Sequence, residues 1–272
     1  MKKFDGILFC TDVDGTLLRS DGTLSEENIK AIEYFKSEGG IFTFITGRMP
    51  FFAGRIYNAI QPNAPFGCVN GGAIYDHIKQ EYVWVYPMQD GVAELIECID
   101  KKFPDVGIQV NTFHNTFFCK DNVVMQSFRR GTGLENLTCD YKNVTEPIGK
   151  IIFGSPDDVE ILEIEKTLKS HPDSYKFDFV RSERTLYEIL PKGSGKGLAF
   201  NKLVEYMNVD PKRTVAIGDY NNDISMFRAA NVSVAVANAC KDALDAAKYV
   251  TVSNDEHAIA KVIDDIEKGK FF

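Results

Sequence analysis

The sequence predicts an α/β fold: a Rossmann-like open parallel sheet with a second α/β domain inserted into it. Three observations carry this expectation. Strand and helix patterns alternate at the start of the chain, and the strand segments are continuously apolar, as strands buried on both faces are. The same alternation returns after Lys196. Between Tyr82 and Leu190 the pattern changes to alternating strands with amphipathic helices among them.

Residues 6–12 read as the first buried strand. Ser25 or Thr23 then caps a helix with Ile29, Ile32 and Phe35 on one face, and Gly39-Gly40 ends it. Residues 41–45 form a second buried strand that runs into Thr46-Gly47-Arg48, and a short helix follows Pro50. Residues 66–69 form a third strand, closed by the turn signal Asn70-Gly71-Gly72. Strand, helix, strand, helix, strand implies parallel pairing through right-handed crossovers.

Late in the chain, residues 195–207 are helical with Leu198, Leu203 and Met207 as anchors. Residues 214–217 form a strand that stops at Gly218-Asp219, a helix follows through Met226-Phe227, and residues 232–236 form another strand. In the middle, Val83-Trp84-Val85 and Phe177-Asp178-Phe179-Val180 alternate like strands. One middle helix carries Val92, Leu95, Ile96 and Ile99; the other carries Val159, Leu162 and Leu168. A βαβ crossover needs roughly 30 residues, and far more than that separates Thr46 from Lys196. The expected division is therefore a core of residues 1–82 and 191–272, with an inserted cap of residues 83–190.

The 272 residues suffice for a sizeable core, and 44% apolar with 26% charged residues is a globular composition. The net charge of −8 repels nucleic-acid phosphates and anionic lipid, so neither is an expected partner. A small phosphorylated metabolite remains compatible if a site supplies local positive charge, and no obligate protein partner is evident. The six cysteines show no C-x-x-C spacing and the four histidines are scattered, so free thiols and no zinc site are expected. Asp5, Asp12 and Asp14 interrupt any apolar leader after Met1-Lys2-Lys3, and no apolar run has membrane-spanning length. A cytoplasmic protein is expected.

Ligands of an open parallel sheet bind outside the carboxyl ends of its strands. Three predicted strand ends carry polar chemistry: Asp12-Val13-Asp14, Thr46-Gly47-Arg48 and Gly218-Asp219. If these strands are neighbours, three carboxylates meet. Like charges at contact cost about 4 kcal/mol per pair at a surface-like effective dielectric. A cation is then required, and oxygen ligands without His or thiolate suit Mg²⁺. Gly15 permits a sharp turn that leaves N–H groups free to face an anion. The segment Lys192-Gly193-Ser194-Gly195-Lys196-Gly197 looks like a phosphate loop but fails the Walker A spacing, since Leu190 and Gly197 stand where Gly and Ser or Thr are needed.

The set Asp12-Val13-Asp14-Gly15-Thr16, Thr46-Gly47-Arg48, Lys196 and Gly218-Asp219-Tyr220-Asn221-Asn222-Asp223 resembles the haloacid dehalogenase superfamily, in particular its Cof-type sugar-phosphatase branch with an α/β cap. The resemblance implies a Mg²⁺-dependent phosphomonoester hydrolase of small phosphorylated metabolites, above all sugar phosphates. It makes Asp12 the nucleophile and Asp14 the general acid and base. Thr46, Gly47, Lys196 and Asn222 would hold the phosphoryl oxygens. Asp219, the Asp12 side chain and the Asp14 carbonyl would bind Mg²⁺, with Asp223 supporting them. A phosphosugar mutase of the same superfamily, or a non-catalytic phospho-ligand sensor, are the alternatives. Arg48 reads equally as a substrate contact or as part of the helix entrance. Arg129, Arg130, Arg181 and Arg184 read as a second anion site or as surface charge, and Phe113, Phe117 and Phe118 as cap core.

Overall fold

The structure, a computed structural model, describes residues 2–272. The chain forms two compact units, Met1–Val85 with Gly195–Phe272, and Tyr86–Ser194. These boundaries lie slightly beyond the expected 82 and 190.

In the first unit, β1 (Leu8–Thr11) is wholly buried and opens into a wide turn, Val13–Leu17, with Gly15 at φ 80°. Helix α1 (Glu26–Ser37) starts at Ser25, whose side chain accepts the Asn28 N–H. Strand β2 (Ile41–Phe44) leads to α2 (Pro50–Ile60), which has proline in its first turn, where no N–H is missed. Strands β3 (Phe66–Cys68), β4 (Ala73–Asp76) and β5 (Glu81–Val85) form a small antiparallel sheet, tied to the end of β2 by a parallel bridge between Ile45 and Gly67. Val83-Trp84-Val85, expected in the cap, is thus a core strand. Its register with β4 carries it past residue 82.

The second unit contains α3 (Val92–Lys102), β6 (Gly107–Thr112), β7 (Thr116–Lys120), α4 (Val123–Thr132), β8 (Ile148–Gly154), α5 (Asp158–Ser170), β9 (Phe177–Glu183) and β10 (Leu186–Pro191). Its strands make one antiparallel sheet in the order β7-β6-β8-β10-β9. Ile108, Val110, Ile151, Phe153, Tyr187 and Ile189 pack with α3 and α5 in one cluster. Ile161, Ile164 and Leu168 are the buried anchors of α5. Val159 and Leu162, expected there, are 66% and 49% exposed, because the buried stripe of Ile161 and Ile164 is displaced by two residues and so faces the other side of the helix. Phe118 and Ile152 join Met125 of α4 in a separate cluster. Phe113 and Phe118 are buried, and Phe117 is partly buried against the main cap cluster.

Lys150 and Glu188 form a buried ion pair at 3.2 Å in this unit. Lys150→Met strands the Glu188 carboxylate and is expected to cost about 3–5 kcal/mol in urea unfolding. The double variant Lys150→Met/Glu188→Leu should recover most of that loss, since no buried charge is left.

The chain returns through α6 (Lys196–Tyr206), β11 (Thr214–Gly218), α7 (Ile224–Ala229), β12 (Val232–Ala235), α8 (Lys241–Ala246), β13 (Tyr249–Val250) and α9 (Ala258–Glu267). The anchors of α6 are Ala199, Phe200 and Leu203, with Leu198 only half-buried. The parallel sheet runs β13-β12-β11-β1-β2. Pairing of Thr11 with Ile217 brings the carboxyl ends of β1 and β11 side by side, although some two hundred positions part them. The strand order reverses direction there, which is the usual ligand crevice of such a sheet. No helix among the described residues is long and apolar enough to cross a membrane.

Candidate active site

Asp12, Thr46 and Asp219 sit just beyond the ends of β1, β2 and β11, as expected. Asp12 leaves β1 with its N–H bonded to the Ile217 carbonyl at 2.9 Å, so its side chain emerges beside β11. Asp219 leaves β11, and Asp223 follows on the next short turn. Carboxylate oxygens of Asp12, Asp219 and Asp223 lie within 4.8 Å of one another.

Two glycines make this closeness sterically possible. A Cβ at Gly15 would lie 2.5 Å from Asp219 Oδ2, and one at Gly218 would lie 2.4 Å from Asp223 Cγ. Hydrogen bonds then fix the orientation. Thr16 Oγ1 donates to Asp219 Oδ1 at 3.1 Å. Asp223 Oδ2 accepts the N–H groups of Asp219 and Tyr220, both at 3.0 Å.

Lys196, at the first turn of α6, supplies the counter-charge. Its Nζ donates to Asp223 Oδ1 at 2.6 Å and also to Asp12 Oδ1, and the side chain is 1% exposed. Burial alone would lower the lysine pKa, but Asp12 and Asp223 outweigh it and hold the ammonium protonated. Burial raises the Asp12 carboxyl well above its ordinary range. Lys196 opposes that shift, while Asp223 and Asp219 add to it. Asp219 is raised too, first by burial and then by Asp223. The cluster therefore holds more negative charge than one ammonium neutralises. Its all-oxygen donor set fits a hard divalent cation.

Asp14 takes a different course. Its carboxylate is bound by Arg48, Nε to Oδ2 at 2.9 Å and Nη2 to Oδ1 at 2.5 Å, and its side chain is 57% exposed. Arg48 is therefore paired with Asp14, and that bond is the main cause of its raised pKa. Thr46 is buried, and its hydroxyl accepts the Arg48 N–H at 3.2 Å. Asn222 Nδ2 donates to Asn70 Oδ1 at 3.5 Å. A Cβ at Gly47 would lie 2.7 Å from that same Asn70 oxygen.

Asn70 was legible only as a turn residue, and its place in this cluster was missed. The signal available was an Asn before two glycines, a pattern suited to left-handed backbone. The cap arginines are in part engaged locally: Arg129 with Asp121 at 3.0 Å, and Arg181 with Asp158. Tyr220 is 54% exposed.

A parallel α/β core whose carboxyl edge holds clustered aspartates and one buried lysine is an architecture of phosphoryl-transfer enzymes. Residues 9–263 match the model of the haloacid dehalogenase-like hydrolases, and the chain belongs to that family. It is 28% identical over 297 residues to the 5-amino-6-(5-phospho-D-ribitylamino)uracil phosphatase YwtE of Bacillus subtilis, covering 96% of this chain and 98% of that protein. A haloacid dehalogenase-like hydrolase from Bacteroides thetaiotaomicron has the same fold, with a TM-score of 0.84 at 23% identity over 96% of this chain and 99% of that one. The sugar phosphatase BT4131 of subclass IIB gives a TM-score of 0.78 at 20% identity, covering 95% of this chain and 98% of that one. The chain is thus an enzyme of this family, and phosphatase is the activity its curated relatives carry in their names.

Proposed function

We propose that the protein is a Mg²⁺-dependent phosphomonoester hydrolase of small phosphorylated metabolites, sugar or sugar-alcohol phosphates in particular, working through an aspartyl phosphate on Asp12. The observation that carries this reading is the Asp12 carboxylate itself. It is buried, contacts the Lys196 ammonium and lies within 4.8 Å of the Asp219 and Asp223 oxygens. The names of a ribitylaminouracil phosphatase and of a sugar phosphatase among the relatives support the substrate class. Six unpaired cysteines fit the cytoplasmic setting that forms part of the reading.

In this reading one Asp12 oxygen attacks phosphorus in line, the ester P–O bond breaks, and Asp14 protonates the departing alkoxide. Asp14 then takes a proton from water as that water attacks the aspartyl phosphate, which frees inorganic phosphate and restores Asp12. Thr46, the Gly47 N–H, Lys196 and Asn222 hold the phosphoryl oxygens, because such transfer depends mostly on positioning and charge neutralisation. Asp12, Asp219 and the Asp14 carbonyl would hold Mg²⁺, with Asp223 supporting them. The ion supplies positive charge for the carboxylates and the phosphoryl oxygens. Asp14 must leave Arg48 to act, so the ion pair is a resting arrangement in this scheme.

The experiment that tests the proposal is phosphate release across sugar phosphates, ribityl phosphates, nucleotides and cofactor phosphates, with Mg²⁺ and with chelator. Release from none of them would end it.

Mg²⁺ should also stabilise the protein, and more so at higher pH. Burial and neighbouring carboxylates raise the Asp12 and Asp219 pKa values. The folded chain therefore keeps protons there that the unfolded chain has already released. The cluster's contribution to stability then falls as pH rises through the raised values. A divalent ion relieves this strain only where the protons are gone. The expected result is a Mg²⁺-induced rise in Tm that is larger at pH 8 than at pH 5. Equal rises at both would contradict it.

A further inference from the structure

We infer that Asn70 is a positioning residue for the phosphoryl group, aligning three separate loops on one anion. The inference rests on the phosphatase reading above.

The backbone at this point is held in a conformation its residues do not favour. Val69 and Asn70 have φ of 54° and 52°, and Gly71 follows at 85°. A β-branched residue in the left-handed region is a genuine outlier, and such outliers persist only where the surroundings impose them. The surroundings here are the loops expected to bind phosphate. The Asn70 N–H donates to the Thr46 carbonyl at 3.1 Å, and the Val69 N–H to the Arg48 carbonyl at 3.0 Å. A Cβ on Gly71 would lie 2.1 Å from the Gly195 carbonyl, so the turn presses directly on the start of α6, where Lys196 stands.

The side chain completes the arrangement. Asn70 is 7% exposed, and its Oδ1 accepts from Asn222 Nδ2 at 3.5 Å. The same oxygen occupies the space over Gly47 that a Cβ would need. One residue therefore touches the Thr46–Arg48 loop, Asn222 and, through its turn, the start of α6. If the backbone shape alone mattered, glycine would serve better, because it adopts this φ without strain. An amide that keeps several donors aimed at one dianion lowers the reorganisation needed when phosphate arrives.

The variant Asn70→Gly separates the two roles. It relieves the left-handed backbone while removing the amide. The protein is assayed for Tm without ligand, for inorganic phosphate affinity by calorimetry, and for kcat and KM on p-nitrophenyl phosphate. The expected result is an unchanged or higher Tm, with phosphate Kd and KM each raised about tenfold, the size of one well-placed hydrogen bond. Asn70→Asp, which keeps the shape but adds a negative charge, should weaken phosphate binding further. An Asn70→Gly protein with wild-type Kd, KM and kcat overturns the inference, whatever its Tm. A wild-type protein that neither binds nor releases phosphate overturns the phosphatase reading, and this inference with it.

Discussion

Asp12→Asn is expected to abolish turnover, with kcat lower by about 10⁴-fold or more, as when the nucleophile of a covalent mechanism is removed. The substitution keeps shape and most contacts. An Asn oxygen can still accept from Lys196, as Asp12 Oδ1 does now. What is lost is the negative charge that attacks phosphorus. The fold should not suffer. Asp12 is buried beside two further carboxylates, and burial with their repulsion already disfavours its charge. Without Mg²⁺, the variant should match or exceed the wild type in Tm. Loss of activity with retained Tm would set chemistry apart from folding. Mass spectrometry after rapid quenching should find a phosphorylated Asp12 peptide in the wild type and none in the variant. Undiminished phosphate release by Asp12→Asn would remove the assigned nucleophile.

Much of this site could be read from the sequence because the signals were short and local. Continuous apolar runs ending in Asp12, Thr46 and Asp219 marked buried strands with polar ends. The physics of open parallel sheets then predicted that such ends face one crevice. Elsewhere the deciding contacts were not local. Asp223 lies beside Asp12 only because Gly218 has no side chain and Lys196 draws both carboxylates to one ammonium. The pairing of Arg48 with Asp14 spans two loops, and no spacing rule foretells it. Strand β5 belongs to the core through its pairing with β4, whereas its alternating pattern fits either unit equally. In α5, Val159 and Leu162 fit an apolar stripe nearly as well as Ile161 and Ile164. Tertiary packing chose the second set. Asn70 was hidden for a similar reason: a turn signal reports backbone preference and says nothing about what the side chain touches.

Lys196→Met should damage stability and activity together, and for one cause. Among the described residues, the lysine is the single cation in direct contact with Asp12 and Asp223, at a site where both are buried. Methionine retains the volume of the aliphatic stem and fills the same space, so a cavity is not the issue. The charges are. Removing one partner of a buried ion pair costs about 3–5 kcal/mol, because the other partner stays behind without compensation. In a unit of this size that corresponds to a fall in Tm of roughly 10 °C. The loss should depend on pH with a definite sign. With the ammonium gone, the Asp12 pKa loses the main influence that lowers it. Protonation at lower pH then removes the unpaired charge, so the gap between variant and wild type should narrow on acidification and widen on going alkaline. Added Mg²⁺ should recover part of the stability, since it offers positive charge to the same carboxylates. It should not recover turnover if Lys196 also holds a phosphoryl oxygen. Urea unfolding at several pH values, with and without Mg²⁺, reads the first effect, and phosphate release reads the second. A Lys196→Met protein as stable as the wild type at neutral pH without metal would mean that the carboxylates are not held together by this ammonium. The electrostatic account of the site would then have to be abandoned.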